Sequence, residues 1–293
     1  MKQKEENIQG TEKEFEGMLV KELQKQSEGM FSVSLSEVSK NNGLKKRAII
    51  LKGKSGCVSP TAYPEDYYRR ARYSMSIPEI ADEIIDSYLH CVAVKDSLPE
   101  DFFLHYETVA PHVYCQLVNR KKNEERLSGM PFEPWQDLAV SYYYQADGKM
   151  SDYHIQISLS HLEKWGIGTD QLRKDAWQNT LEKKRATLRR LCDILRESPE
   201  YSRDGELPDS SLLVLTNTDG VAGAVAIAYP NQIEIIRAGL DSGFYMIPCS
   251  IHECLILPDD GTYREEELNS MVRDVNKTQL QPDDVLSDHV YKF

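Results

Sequence analysis

The sequence predicts an α+β protein of small antiparallel sheets with helices packed on them, arranged as three subdomains. Three observations carry this. Runs that alternate apolar and polar residues are interleaved with runs whose apolar residues recur at helical spacing, the patterns of half-buried strands and amphipathic helices. Several strand-like runs are joined by short Asn, Asp and Gly turns, the signal of antiparallel hairpins. The chain has 293 residues, 40% of them apolar, which is more than one compact core usually organises.

Taken in order, Thr11 to Gln26 reads as an amphipathic helix that places Phe15, Met18, Leu19 and Leu23 on one side. Phe31 to Val38 alternates with a period of two and is answered by Lys46 to Leu51 across Asn41-Asn42-Gly43, a hairpin. Pro64 to Ala71 forms a shorter helix. Ser76 and Glu79 make a capping box ahead of Ile80, Ile84, Ile85, Tyr88 and Leu89, and Ser97 with Glu100 repeats the device. These elements make up a first region, residues 1–107.

The middle region, residues 108–197, opens with a strand from His112 to Val118. It passes through a polar helical turn to a second strand, Asp137 to Tyr144, then through Asp147-Gly148 to an alternating run from Tyr153 to Leu159. His161 to Trp165 and Asp170 to Arg196 read as mostly helical, the latter capped by Thr169. A Pro- and Ser-rich linker, Ser198 to Ser210, opens the third region, residues 198–293. There Leu212 to Thr216 and Val221 to Ala228 flank Asp219-Gly220 as a hairpin. A helix near Gln232 to Ala238, two strands through Leu257, a helix from Glu265 to Thr278 and a last strand follow.

Charge is unevenly placed. The net charge is -12, and residues 198–293 carry 6 Lys/Arg against 17 Asp/Glu, so nearly all the acidity lies in that third. Such a surface repels phosphate backbones and attracts a basic partner, which makes nucleic acid an unfavourable ligand for it. The basic run Lys183-Lys184-Arg185, Arg189-Arg190 and Arg196 reads as a solvated helix face, and no aromatic stacking platform accompanies it. The segment MKQKEENIQG has no apolar core of a signal peptide, and no run approaches the roughly 18–20 apolar residues of a membrane span. The expectation is a cytoplasmic protein with no membrane anchor. The six cysteines are scattered without a close pair, so reduced thiols are expected rather than disulfides or a zinc ribbon.

Candidate chemistry concentrates near the C-terminus, where His252, Glu253, Asp288 and His289 sit in or beside runs that read as buried. A His/Glu/Asp constellation could act in general acid-base catalysis or hold a metal. Alternatively, the imidazoles hydrogen-bond their neighbours and pin the last strand, which is the reading the sequence favours because buried polar groups need partners. His252-Glu253 lacks the second histidine of a zinc-protease helix, Ile256 standing in its place. Gly53-Lys54-Ser55 lacks the first glycine of a phosphate loop, where Ala48 stands. No cofactor or metal is therefore expected.

The blocks VYCQLVNRKKNEERLSGMPFEPWQDLAVSYYY, HLEKWGIGTDQLRKDAWQNT and PCSIHECLILPDD followed by LNSMVRDVNKTQLQPDDVLSDHVY resemble the bacterial family named domain of unknown function 5688, from about Phe31 to Tyr291. The resemblance implies an α+β fold and no activity, cofactor or catalytic residue. Where its members carry Ser-Ser before Ile-His-Glu, this chain has Cys249-Ser250, so a nucleophilic Cys249 would not be a family property.

Two function classes stand open on the sequence. The favoured one is a non-enzymatic module that binds a protein, plausibly a basic one, through the acidic third or through a tyrosine-rich surface drawn from 16 tyrosines such as Tyr63, Tyr67, Tyr68, Tyr73 and Tyr142 to Tyr144. The alternative is a hydrolase or metal-dependent enzyme using His252, Glu253, Asp288 and His289. Whether the chain is an enzyme, and its oligomeric state, are left undecided by the sequence.

Overall fold

The computed structural model describes residues 11–53, 61–95, 104–146, 154–197 and 211–293. Lys54-Ser55, Cys57, the second capping box at Ser97, the Asp147-Gly148 turn and the linker from Ser198 lie outside the described residues, as does the Cys91 side chain. The architecture is α+β: three antiparallel sheets, of three, four and five strands, with helices packed on them. Two compact units hold these elements. Lys45–Thr108 and the residues up to Lys40 fall in one, while Asn41–Leu44 and most of the chain from Val109 fall in the other. The division expected at residue 107 lies beside this boundary, and that at residue 197 lies inside the second unit.

In the first unit, α1 (Glu12–Gln26) starts where the sequence places it, with the Thr11 hydroxyl accepting the Glu14 N–H and the Glu14 carboxylate accepting the Thr11 N–H. Phe15, Leu19 and Leu23 are buried, but Met18 is exposed. The flank of the stripe is taken instead by Glu16, whose buried carboxylate lies 2.8 Å from the Arg47 guanidinium. Strands β1 (Phe31–Ser39) and β2 (Lys45–Gly53) pair antiparallel from Phe31 opposite Gly53 to Ser39 opposite Lys45, and β3 (Thr61–Ala62) adds to β2. Helix α2 (Pro64–Tyr73) and the Ser76-capped α3 (Ile77–Lys95) complete the unit. Its core joins the α1 stripe to Ile49, Leu51, Ile80, Ile84 and Tyr88. A single turn, α4 (Tyr106–Val109), comes next in the chain.

The second unit carries the larger sheets. β4 (Val113–Asn119) and β6 (Leu138–Gln145) run antiparallel, with α5 (Glu124–Leu127) and β5 (Phe132–Trp135) between them in sequence; β5 and β7 (His154–Gln156) also pair with β6. Every residue of β4 and β6 is buried. Tyr142, Tyr143 and Tyr144 are therefore core, not surface, because a strand paired along both edges and covered on both faces has no polar side. The alternating run to Leu159 is shorter as a strand than expected, since Ser158 caps a new helix, α6 (Leu159–Trp165), by accepting the His161 N–H. Helix α7 (Thr169–Lys183) packs on β4, where the Thr180 hydroxyl accepts the Cys115 N–H at 2.9 Å. Its N-cap is Gly168; Thr169 is already helical.

Two sequence expectations fail here for one reason, pairing between distant strands. Asp170 to Arg196 is not one helix: the chain leaves α7 at Lys184, forms β8 (Ala186–Arg190) and only then α8 (Leu191–Glu197). β8 pairs with β9 (Leu213–Asn217), and that pairing overrides the helical preference of a short Ala-Thr-Leu-Arg-Arg segment. Nor do residues 213–217 and 221–228 form a hairpin. β9 already has β8 on one edge and β11 (Cys254–Pro258) on the other. The chain beyond Gly220 has no edge to join, and Gly223–Ala228 winds into a buried 3-10 turn. Gly223 is required there: a β-carbon on it would lie 2.1 Å from the Thr216 hydroxyl and 2.5 Å from the His252 carbonyl oxygen. After α9 (Gln232–Leu240), β10 (Phe244–Ile247) precedes β11, and α10 (Glu265–Thr278) leads to β12 (Tyr291–Lys292), giving the order β12-β10-β11-β9-β8.

Lys184 joins these parts. Read from sequence as one of a run of solvated cations, its side chain is 2% exposed. Its ammonium donates to Gln145 Oε1 at the end of β6 (2.5 Å) and to Asp219 Oδ2 in the turn after β9 (2.6 Å), and it lies 4.6 Å over the Tyr114 ring. Its carbonyl accepts the Tyr229 hydroxyl at 2.7 Å.

A buried ammonium stripped of its carboxylate costs roughly 3–5 kcal/mol, whereas replacing the charge itself by an apolar side chain of similar length is much cheaper. Asp219→Ala should accordingly lower the unfolding free energy by about 3 kcal/mol and Lys184→Met by less, as read in urea denaturation. Equal losses, or a larger loss for Lys184→Met, would contradict this account of the network.

Candidate functional site

The segment between α10 and β12 has little regular structure, yet Val285, Leu286 and Ser287 are buried. Buried carbonyls without ladder partners must be satisfied some other way. Here asparagine amides do it. Asn42 donates to the carbonyls of Pro282 and Val285, Asn41 to Asp283, Asn119 to Leu286 at 3.0 Å and Asn276 to Ser287 at 2.8 Å, while Asn269 Oδ1 accepts the Val290 N–H at 2.7 Å. The sequence read Asn41 and Asn42 only as a hairpin turn and gave no sign of the role of Asn119, Asn269 and Asn276, because isolated Asn residues on strands and helices share no spacing. The apolar character of Val285-Leu286 beside Pro282 was the one available signal of a buried irregular stretch.

His252 stands in the turn between β10 and β11, about two-fifths exposed rather than in a buried strand. Its Nδ1 accepts the Ala222 N–H at 3.2 Å, so the neutral ring carries its proton on Nε2, which faces Asp284 Oδ1 at 3.6 Å. Ala222 has a left-handed backbone, φ 52°, costing an L-residue roughly 1–2 kcal/mol. The imidazole thus caps the one N–H that this strained residue presents to it. The His252 carbonyl accepts the Thr216 hydroxyl at 2.8 Å, fastening the turn to β9. Glu253 is exposed. Burial, with Glu253 second, pushes the neighbouring Cys249 thiol up to about 12, opposite to what a nucleophilic cysteine needs.

Asp288 and His289 belong to a different set of contacts. Asp288 pairs with the Lys122 ammonium at 2.8 Å and accepts from the Asn276 amide at 2.9 Å. Burial acts to raise this carboxyl, but Lys122 and Asn276 outweigh it and hold it below the ordinary carboxylate value. His289 Nδ1 lies 3.1 Å from the Ser287 hydroxyl and Nε2 lies 3.6 Å from Asp137 Oδ2, with the ring against Tyr291. The Tyr291 hydroxyl reaches both Asp137 Oδ1 at 2.7 Å and Ser287 Oγ at 3.1 Å. Burial, and then the Asp137 carboxylate, push this phenol up, so it stays a donor at neutral pH. Among the described residues no hydrogen bond or ion pair links His252 or Glu253 to Asp288 or His289, and no group of three or more His, Cys, Asp or Glu could hold a metal ion.

Asp137 also borders a concave pocket of about 490 Å³, the size of a small-molecule site. Leu127 and Phe132 give it an apolar side; Arg120, Lys121, Glu124 and Ser128 complete it. The sequence marked none of these residues as a site: Asp137 entered only as the start of a strand, and the others fall between the strands it recognised.

A family model described as a family of unknown function, DUF5688, matches residues 12–293, in agreement with the resemblance read from the sequence. No curated protein and no solved structure matches the chain. Among the described residues no helix is long and apolar enough to cross a membrane.

Removing one partner of a buried carbonyl costs roughly 1–3 kcal/mol. Asn119→Ala should therefore lower stability by about 2 kcal/mol in chemical denaturation; a neutral result would mean the Leu286 carbonyl finds another donor. Because the folded chain holds Asp288 below its ordinary value of 3.8, the unfolded chain binds the proton more tightly. This carboxylate adds stability at neutral pH that fades as the pH falls through its depressed folded value. Asp288→Asn should flatten the decline of the unfolding midpoint below roughly pH 5, and an unaltered acid limb would show that its ion pair contributes nothing.

Proposed function

We propose, from the premise that this chain belongs to the DUF5688 family of unknown function, that it is a non-enzymatic module that binds a basic protein segment through its acidic C-terminal third. One observation carries the reading. Helix α10 buries Leu268 and Val272 and turns a second apolar pair, Met271 and Val275, outward at 58% and 46% exposure. The two stand one helical turn apart, so they form a single stripe. Glu267 lies one turn before Met271 and Asp274 beside Val275, with Glu265 and Glu266 exposed at the helix start. An apolar stripe edged by carboxylates fits an amphipathic segment rich in Lys and Arg, which would gain both burial and charge complementarity. The tyrosine-rich alternative loses support from the burial of Tyr142 to Tyr144, although Tyr73 and Tyr263 remain exposed.

Hydrolysis has one observation in its favour, the contact chain Ser287–His289–Asp137, which has the composition of a nucleophile, base and orienting acid. Access weighs against it. Ser287 is 1% exposed, and its Oγ already meets the Tyr291 hydroxyl and accepts the His289 N–H. On this reading the C-terminal histidines, His252 and His289, with Asp288 beside His289, hold the fold, and Glu253 is an exposed side chain.

Capture from native lysate on immobilised protein should retain a basic partner at low salt and release it at about 1 M salt, where the screening length is roughly 3 Å. A Met271→Ser, Val275→Ser double variant should fail to retain it while keeping the wild-type circular dichroism spectrum. Retention by the double variant, or insensitivity to salt, would overturn the proposal.

A further inference from the structure

We propose that the pocket bordered by Asp137 binds a small zwitterion bearing an apolar group, an α-amino acid or short peptide. Arg120 and Lys121 follow β4, and Glu124 opens α5, all three exposed. Among the described residues none of them enters an ion pair, although opposite charges share the pocket wall. Lys122, between them in sequence, is engaged by Asp288. The second carboxylate, Asp137, is held in place by the Tyr291 hydroxyl at 2.7 Å and faces the His289 ring. A carboxylate fixed by its own partners is preorganised for a ligand ammonium.

The apolar side is equally well supported. Leu127 is 4% exposed and packs with Val118 and Ala139, and half-buried Phe132 rests on this cluster. The Arg120 guanidinium lies 5.9 Å from the centre of the Phe132 ring, which aligns it beside the apolar surface. A ligand with one charge would answer the cations or the carboxylates and leave the other pair facing its apolar group. A zwitterion answers both: its carboxylate meets Arg120 and Lys121, its ammonium meets Glu124 and Asp137, and its side chain lies on Phe132 and Leu127. The volume, about 490 Å³, admits a single amino acid or a dipeptide.

Calorimetric titration of the full chain with L-phenylalanine and with glycyl-L-phenylalanine tests this, using 3-phenylpropionate and phenethylamine as the same ring with one charge removed. Saturable binding of at least one zwitterion at millimolar concentrations is expected, with each singly charged compound at least tenfold weaker. Arg120→Ala and Glu124→Gln, both at exposed positions, should each weaken zwitterion binding about tenfold without changing the circular dichroism spectrum. Absence of saturable heat with both zwitterions, equal binding of either singly charged compound, or unchanged affinity in both variants would overturn the proposal. These outcomes are independent of the α10 surface, which a protein partner would use whether or not the pocket is filled.

Discussion

The second unit is organised around one charged group that water does not reach. Lys184 sits where α7 ends, and its ammonium has to be paired because an unpaired buried charge is among the most unfavourable things a fold can contain. Its two acceptors come from different sheets, Gln145 from the end of β6 and Asp219 from the turn after β9. Three elements are thereby required to meet at one point, and the Tyr229 hydroxyl fastens the chain after the 3-10 turn to the same residue. The consequences reach the C-terminal histidines. β9 is fixed at its far end by Asp219, and Thr216 on the strand itself donates to the His252 carbonyl. A polar contact at the helix end thus sets the position of the turn that carries an imidazole.

The sequence exposed what depends on near neighbours. The amphipathic helix from Thr11, the Ser76 capping box, the hairpin across Asn41 to Gly43 and the helix from Glu265 to Thr278 each involve residues a few positions apart, and each is present. It misjudged what depends on distant partners. Ala186 to Arg190 has no strand signal of its own and becomes β8 because β9 offers an edge; Val221 to Ala228 reads as a strand and is excluded from the sheet because both edges of β9 are taken. Lys184 follows the same logic. Adjacent to Lys183 and Arg185, it reads as a surface cation, and only the folded position of Asp219 and Gln145 makes a buried one tolerable.

The candidate site divides similarly. That His252, Glu253, Asp288 and His289 stand near the C-terminus was visible; that they fall into two separate sets of contacts was not, since their partners Ala222, Asp284, Asp137, Lys122 and Asn276 are scattered over the chain. The His252 ring accepts the Ala222 N–H, and the His289 ring joins Ser287 and Asp137, which also meet the Tyr291 hydroxyl. Together with the asparagine amides around residues 282–290, they do for an irregular buried segment what ladder hydrogen bonds do for a strand.

The distribution of free charge then separates surface from scaffold. The basic run that might have suggested nucleic acid is dispersed over three elements. Lys183 donates to the Pro111 carbonyl, Lys184 is buried, and Arg189 and Arg196 pair with Glu197 and Asp193. A cation paired with a carboxylate offers a phosphate backbone less than a free one does. The carboxylates at the start of α10 are answered only in part, by Arg264 on Glu267. Among the described residues Arg120 and Lys121 have no carboxylate partner beside Phe132. Charges absorbed by the fold lose their reach, and those left over are the ones on which the two proposals rest: a cationic segment at α10, and opposite charges on a single small molecule at the pocket.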